Sequence, residues 1–448
     1  MKLYLGIDLG STTTKAVVMD ANQVILGKGI TNSRSNYDTA CAIAQNEAFI
    51  DTRFSLFRRQ MSTGAVELGT GAVELGNLEA FLTGLEANFR LEQFLRQLRH
   101  LTEISMAEIS KGRVDQALRT PLRDKLEQLF EEIAVEALEW FRPGAAKRSD
   151  FFRDLAGNAY MRGAEALAEP DGVTYDMLVN VYDKCIIRVE NTLLDLSLEG
   201  NMGKALDRSF GDGGRDGLSE EAEAEIRSAA DQVLDISLEV LNAVGTGYGR
   251  ARLPFPKERI RSEILCHGLG AHTMFPGTAT VLDIGGQDTK AIQVDPEGIV
   301  TSFQMNDRCA AGCGRYLGYI ADELNMGVQE LGPLAMQANK SVRINSTCTV
   351  FAGAELRERL NNGERREDIL QGLHRAIILR AMSLLARSGG IEDEFTFTGG
   401  VANNEAAVHA LSTLVEENYG KRKLNISANS IYTGAVGAAL FALRNVAG

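Results

Sequence analysis

Two segments of this chain repeat one arrangement of residues that could bind phosphate. LYLGIDLGSTTTKAVVMD places Asp8 at the end of an apolar run, Gly10, Ser11, Thr12 and Thr13 in a polar turn, and Lys15 at the start of the next run. TVLDIGGQDTKAIQVD places Asp283, Gly285, Gly286 and Lys290 in the same order, with the same Asp-to-Lys spacing. Each reads as a β-hairpin whose glycine lets an anion approach the backbone. Turn amides and hydroxyls would donate to phosphate oxygens and the lysine would balance charge. Asp8 and Asp283, at strand ends, suit a hydrated Mg²⁺, which binds one or two carboxylates while keeping water. Gln287 or Asp288 would then orient an attacking water. One such hairpin reads equally well as an ordinary tight turn, but two matched copies weigh against that. A third glycine turn, FTFTGGVANN, follows a strand-like run, and its Gly399, Gly400 and Asn403 would let a nucleoside lie against the backbone. No G-x-x-x-x-G-K-[ST] is present, and GIDLGS is not G-x-G-x-x-G, so a nucleotide site must rest on these turns.

The cysteines suggest a second chemistry. Cys309, in NDRCAAGCGRYL, follows a strand-like run and is expected at the start of a helix; Cys348, in NSTCTVFAGAEL, repeats the placement. Helix N-termini favour thiolate and stabilise an anionic cluster. Iron–sulfur clusters normally take four cysteinyl ligands, so a chain offering two would share its cluster with a second subunit. Without that context, both cysteines read as small buried apolar residues. Cys313, four residues beyond Cys309 and on the same helical face, is expected to be buried rather than an alternative ligand. Cys41, Cys185 and Cys266 have no partner at a metal-ligand spacing. His267 and His272 read as structural, and Glu355 and Arg357 as nucleoside contacts or a solvated helix face.

These residues need elements to position them. Between the hairpins, Thr31 to Asp235 is mostly helical: Leu78, Phe81, Leu82, Leu85 and Phe89 share one face, and Leu126, Leu129, Phe130, Ile133, Ala137 and Leu138 another. The heptapeptide TGAVELG, in tandem from Thr63 and Thr70, reads as a duplication within a loop, and Gly211 to Gly217 as a glycine-rich end to the segment before a helix N-capped by Ser219. From Val240 onward strands and helices alternate, so the fold class is α/β. A net charge of −13 argues against nucleic acid as a partner. With no signal-peptide pattern and no apolar run of spanning length, the expected location is the cytoplasm, away from a membrane.

The two hairpins and the Gly399 to Asn403 turn, in this order, resemble the phosphate and adenosine loops of the acetate kinase, sugar kinase, Hsp70 and actin superfamily. TGYGR, DIGGQD, FQMNDRCAAG, STCTVFA and TGGVANN together are similar to activator ATPases of 2-hydroxyacyl-CoA dehydratases and to ATP-binding subunits of class I benzoyl-CoA reductase. The resemblance covers Met1 to about Thr31 and about Val244 onward. It implies two ribonuclease-H-like lobes around ATP or ADP with Mg²⁺, and one [4Fe-4S] cluster held between two subunits by Cys309, Cys348 and their counterparts. The long helical segment and TNSRSNYDTAC look more like the reductase subunit than the compact activator. That implies a homologous second ATPase subunit, substrate-binding reductase subunits and ferredoxin as electron donor. The expected division is 1–30 and 236–300 for the first lobe, 31–235 for a helical insertion in it, and 301–448 for the second lobe. A dehydratase activator and a cluster-free small-molecule kinase are the alternatives.

Overall fold

Each hairpin opens a sheet of its own, and both sheets follow one plan. In the computed structural model, which describes residues 1–447 except 34–35, 68–74, 112–114, 146–148, 150, 169–171, 212–219, 307–312, 325, 341 and 345–348, β1 (Lys2–Leu9), β2 (Thr13–Met19) and β3 (Ile25–Asn32) form an antiparallel meander. β4 (Glu239–Thr246) joins parallel to β1, giving the order β3-β2-β1-β4. In the second sheet β5 (Thr280–Ile284), β6 (Thr289–Val294) and β7 (Val300–Asn306) repeat the meander. β8 (Phe395–Thr398) and β9 (Leu424–Asn425) extend it in parallel, giving β7-β6-β5-β8-β9. The equal Asp-to-Lys spacing becomes equal register: Asp8 lies opposite Lys15 and Asp283 opposite Lys290. Residues directly opposite across a ladder project from the same face, so each lysine meets its aspartate. β5 and β6 are buried throughout, so their polar side chains Asp283, Lys290 and Gln293 must find partners inside the protein.

Two helices join the sheets. α8 (Glu263–Met274) packs on β5, β6 and β7, and α14 (Thr433–Ala447) on β1, β2 and β4; the two helices also pack on each other. Glycines permit that contact. A Cβ on Gly270 would stand 2.0 Å from the Thr433 carbonyl oxygen, and one on Gly437 1.9 Å from that of Cys266, so larger residues would force the backbones apart. The core of the second sheet includes Leu282, Phe395 and Phe397, with Ile369, Leu373, Ile377 and Leu384 of α12 (Arg366–Ser388) and Leu411 of α13 (Glu405–Tyr419). Among the described residues α12 is the helix long and apolar enough to cross a membrane, and those apolar residues are buried in this core.

Residues 34–238 form a second compact unit, together with Met1. It contains α1 (Tyr37–Glu67), α2 (Leu75–Ser110), α3 (Arg119–Trp140), α4 (Phe152–Leu167), α5 (Tyr175–Glu190), α6 (Leu198–Gly211) and α7 (Glu220–Asp235). α2 is its spine. Leu78, Phe81, Leu82, Leu85 and Phe89 pack with residues of α1, α6 and α7, while Phe94, Leu98 and Leu101 pack with α3, α4 and α5. Between these cores the buried Glu92 carboxylate accepts from Arg208 Nη2 at 2.6 Å and Nε at 3.2 Å.

Several expectations change. The first lobe does not extend to residue 300, because β5–β7 belong to the second sheet and α14 covers the first. Each hairpin carries its own meander, so the second copy cannot share the sheet of the first. The helical unit begins at 34 rather than 31, since Thr31 and Asn32 still pair in β3. Leu138 is exposed; it is one residue, about 100° of helix, beyond Ala137. The first TGAVELG copy begins inside α1, and Leu75 and Gly76 of the second open α2. Ser219, expected as an N-cap, lies outside the described residues, as does most of the glycine-rich stretch before it.

Phe89 is fully buried and meets Phe54 edge-on, with ring centroids 5.3 Å apart. Phe89→Ala should destabilise the helical unit by about 3–5 kcal/mol, read from denaturant unfolding followed by circular dichroism; a loss under about 1 kcal/mol would show that this core is not packed as described.

Candidate functional site

The tip of the first hairpin is held by a residue that motif reading passed over. Ser33, just beyond β3, donates its amide to the Thr12 carbonyl at 2.8 Å and its hydroxyl to the Gly10 carbonyl at 2.6 Å, and shares a 2.9 Å hydrogen bond with Thr14 Oγ1. With the Gly10 and Thr12 carbonyls engaged, the Gly10–Thr13 turn is pinned. The second tip meets it: a Cβ on Gly286 would stand 2.1 Å from Thr12 Oγ1. Gly10, Ser11, Thr12, Thr13, Lys15, Gly285 and Gly286 are therefore gathered in one place, with Gln287 half-buried at the second tip. Asp288 is folded back, its Oδ2 2.9 Å from Lys290 Nζ, so it braces the turn and leaves Gln287 as the candidate for orienting water.

Beneath the tips lies a buried network of charge. Asp283, 1% exposed, has Lys290 Nζ 3.5 Å from Oδ1 and His267 Nδ1 3.1 Å from Oδ2, which also accepts from Thr398 Oγ1 at 3.0 Å. Burial alone would push this carboxyl up; His267, then Lys290 and the Thr398 hydrogen bond, outweigh it and hold Asp283 far below the usual carboxylate range. Burial likewise opposes charge on Lys290 and His267, but Asp283 raises both above their ordinary values. Glu263, one turn before His267 on α8, is pushed up by burial.

Asp8 differs. Its partner among the described residues is Lys15, 3.7 Å away, and a Cβ on Gly434, in the first turn of α14, would stand 2.9 Å from its Oδ2. A less engaged carboxylate beside a helix N-terminus fits a hydrated cation, whereas Asp283 already has partners on both oxygens. His267, expected to be merely structural, is part of this site. Its sequence signal is weak, because it lies far from either hairpin and arrives by helix packing.

The third turn closes the arrangement. β8 runs parallel to β5, with Thr398 opposite Asp283, and delivers Gly399 at φ 87°, where a Cβ would stand 2.3 Å from the Ile284 carbonyl oxygen. Gly400 follows in a short helical turn that ends at the exposed Asn403, and Asn404 caps α13 by accepting from the Ala406 and Ala407 amides. Glu355 pairs with Arg359 at 2.9 Å and Arg357 with Glu323, as on an ordinary solvated helix face.

Cys309 and Cys348 lie outside the described residues. The helix expected to start at Cys309 is α9 (Gly314–Glu323), and its first amides are engaged by the second hairpin: Gly314 donates to the Gly285 carbonyl at 2.8 Å and Arg315 to that of Gly286 at 2.7 Å. Cys313 therefore precedes the helix, in extended conformation, and is buried against the second-sheet core. α10 (Val328–Ala335) follows α9, and α11 (Thr349–Asn361) starts directly after Cys348.

Residues 5–442 match the BadF/BadG/BcrA/BcrD ATPase family. This chain belongs to that family. Over 204 residues this family member is 43% identical to the (R)-2-hydroxyglutaryl-CoA dehydratase activating ATPase of Acidaminococcus fermentans, covering 46% of this chain and 76% of that protein. A benzoyl-CoA reductase subunit of Thauera aromatica is 32% identical over 179 residues, 39% of this chain and 62% of that one. The crystal structure of (R)-2-hydroxyglutaryl-CoA dehydratase component A from Acidaminococcus fermentans aligns over 100% of both chains, with TM-score 0.51 and 23% identity. The ADPNP-bound activator of 2-hydroxyisocaproyl-CoA dehydratase from Clostridium difficile aligns over 99% of this chain and 96% of that one, with TM-score 0.50 and 21% identity. The family member thus has an α/β fold of the actin, Hsp70 and sugar-kinase type.

Gly399→Ala adds a side chain at positive φ and against backbone. It should lower MgATP hydrolysis at least about tenfold, measured as phosphate release; unchanged activity would remove this turn from the site. Burial pushes both Cys41 and Cys266 up to about 12, so neither should be alkylated by iodoacetamide in the native protein at pH 8, while both react after denaturation. Mass spectrometry of the labelled peptides reads this directly.

Proposed function

We propose that this chain is an activator ATPase that hydrolyses ATP to deliver electrons, one at a time, to a partner enzyme of the 2-hydroxyacyl-CoA dehydratase type. The supporting observation is the 43% identity to the (R)-2-hydroxyglutaryl-CoA dehydratase activating ATPase, against 32% to the benzoyl-CoA reductase subunit. That ordering reverses the expectation drawn from the long helical segment. The reductase-subunit reading remains second, favoured by that same segment, residues 34–238, and would bring a homologous ATPase subunit, substrate-binding subunits and ferredoxin.

In this reading Asp8 would hold a hydrated Mg²⁺, which would balance phosphate charge, and the amides and hydroxyls of Gly10 to Thr13, with Lys15, Gly285 and Gly286, receive phosphate oxygens. Gln287 orients the attacking water, Asp283 keeps Lys290 and His267 in place, and Gly399, Gly400 and Asn403 line the nucleoside. Cys309 and Cys348 supply half the ligands of a [4Fe-4S] cluster, the other half coming from a second subunit; when bound, the cluster stores the electron to be transferred. The hydrogen bonds from Gly314 and Arg315 to Gly285 and Gly286 give the phosphate hairpin a direct grip on α9. Displacing the tip on hydrolysis would move the start of that helix, downstream of Cys309.

Anaerobic purification with iron analysis and electron paramagnetic resonance tests the reading, with Cys309→Ala and Cys348→Ala beside wild type. A separable dimer whose reducible cluster is lost in either variant, and which activates a 2-hydroxyacyl-CoA dehydratase with MgATP, is expected. Co-purification with unlike subunits that reduce an aromatic acyl-CoA from ferredoxin would favour the reductase. Iron-free protein that phosphorylates a small molecule would replace both with a kinase.

A further inference from the structure

His267 stands where the supports of the two hairpins meet. Its helix α8 belongs to the second sheet, yet Gly270 and Gly437 hold α8 against α14, which covers the first. One edge of the imidazole, Nδ1, is 3.1 Å from Asp283 Oδ2. The other edge faces α14: a Cβ on Gly434 would be 2.9 Å from His267 Nε2 and also 2.9 Å from Asp8 Oδ2. A single side chain thus touches the second hairpin's carboxylate and flanks the first's. His374 shows what a histidine of the core does instead. On α12, among aliphatic residues, it contacts the Leu370 carbonyl of its own helix at 2.7 Å, and burial pushes it down. His267 is buried as well, but amid Asp283, Asp8, Glu263 and Lys290, a setting that makes sense for a group tying charges together.

We propose that His267 is a positioning residue for ATP hydrolysis, holding Asp283 with one edge while its other edge packs beside Gly434, next to Asp8, so that both hairpins act on one nucleotide. The proposal rests on the ATPase reading of the site and is independent of the cluster and of the electron acceptor. His267 takes no part in the bond-breaking step; it acts through Asp283.

The test is steady-state MgATP hydrolysis by the full-length protein. Losing the 3.1 Å ion-pair contact with the Asp283 carboxylate should cost about tenfold to a hundredfold in rate, so His267→Leu should lower kcat by that factor. KM should stay within about threefold, because His267 acts through a protein carboxylate rather than by binding substrate. His267→Asn, whose amide can still reach Asp283 from the Nδ1 position, should recover part of kcat. Gly434→Ala keeps both side chains but wedges a methyl group between Asp8 and His267, and should lower kcat by itself. His374→Leu should leave kcat within about twofold of wild type whatever it does to the melting temperature. Should His267→Leu fail to fold, His267→Asn and Gly434→Ala carry the test. The proposal is overturned if these variants shift only the melting temperature, or if kcat and KM change solely through loss of folded protein. It is also overturned if His267→Asn is no better than His267→Leu. Wild-type protein that hydrolyses no ATP would instead overturn the nucleotide-site reading, and this proposal with it.

Discussion

An aspartate kept ionised in a nearly dry interior sets the terms for the rest of this structure. A buried carboxylate is tolerated only when it is paired and hydrogen-bonded. Asp283 obtains its partners from three elements: Lys290 through the β5–β6 register, Thr398 through the parallel strand β8, and His267 through α8. Each partner in turn constrains the fold, since a slip of one residue in either ladder would send Lys290 or Thr398 to the opposite face. The glycine contacts between α8 and α14 bring the far edge of the imidazole beside Gly434, next to Asp8.

The first hairpin repeats the plan with looser pairing. Asp8 and Lys15 are 3.7 Å apart, and Asp8 lies beside the first turn of α14. One hairpin is thus internally saturated and rigid, while the other keeps a carboxylate available. Such asymmetry within a structural repeat suits a site in which one copy anchors and the other binds. The saturated hairpin is also the one joined by backbone hydrogen bonds to α9, so a rigid lever rather than a flexible loop connects the phosphate side to the helix that follows Cys309.

Much of this is readable without the structure. Asp8 and Lys15, and Asp283 and Lys290, share a spacing that in an antiparallel hairpin dictates a facing pair, so sequence alone carries the register. The apolar face from Leu78 to Phe89 is likewise recoverable, because helical periodicity is local. Ser33 and His267 are not. Their roles depend on where β3 ends and on how α8 meets α14, and neither is encoded within a few residues of the groups they serve. Sequence order misplaces the boundary between the lobes by joining the second hairpin to the strand that precedes it, although a repeated hairpin already implies a repeated sheet. The helical segment of residues 34–238 tilts a sequence reading toward a reductase subunit; a unit with two hydrophobic cores of its own can be inserted without altering the chemistry of its host, so the segment weighs less than the identity to the activating ATPase.

Both hairpins and the Gly399 turn should bind a single nucleotide. Backbone hydrogen exchange with and without MgADPNP measures this most directly. Residues 9–14, 284–289 and 398–403 should become protected together and at the same nucleotide concentration; protection of one hairpin while the other exchanges unchanged would show that they do not share a ligand.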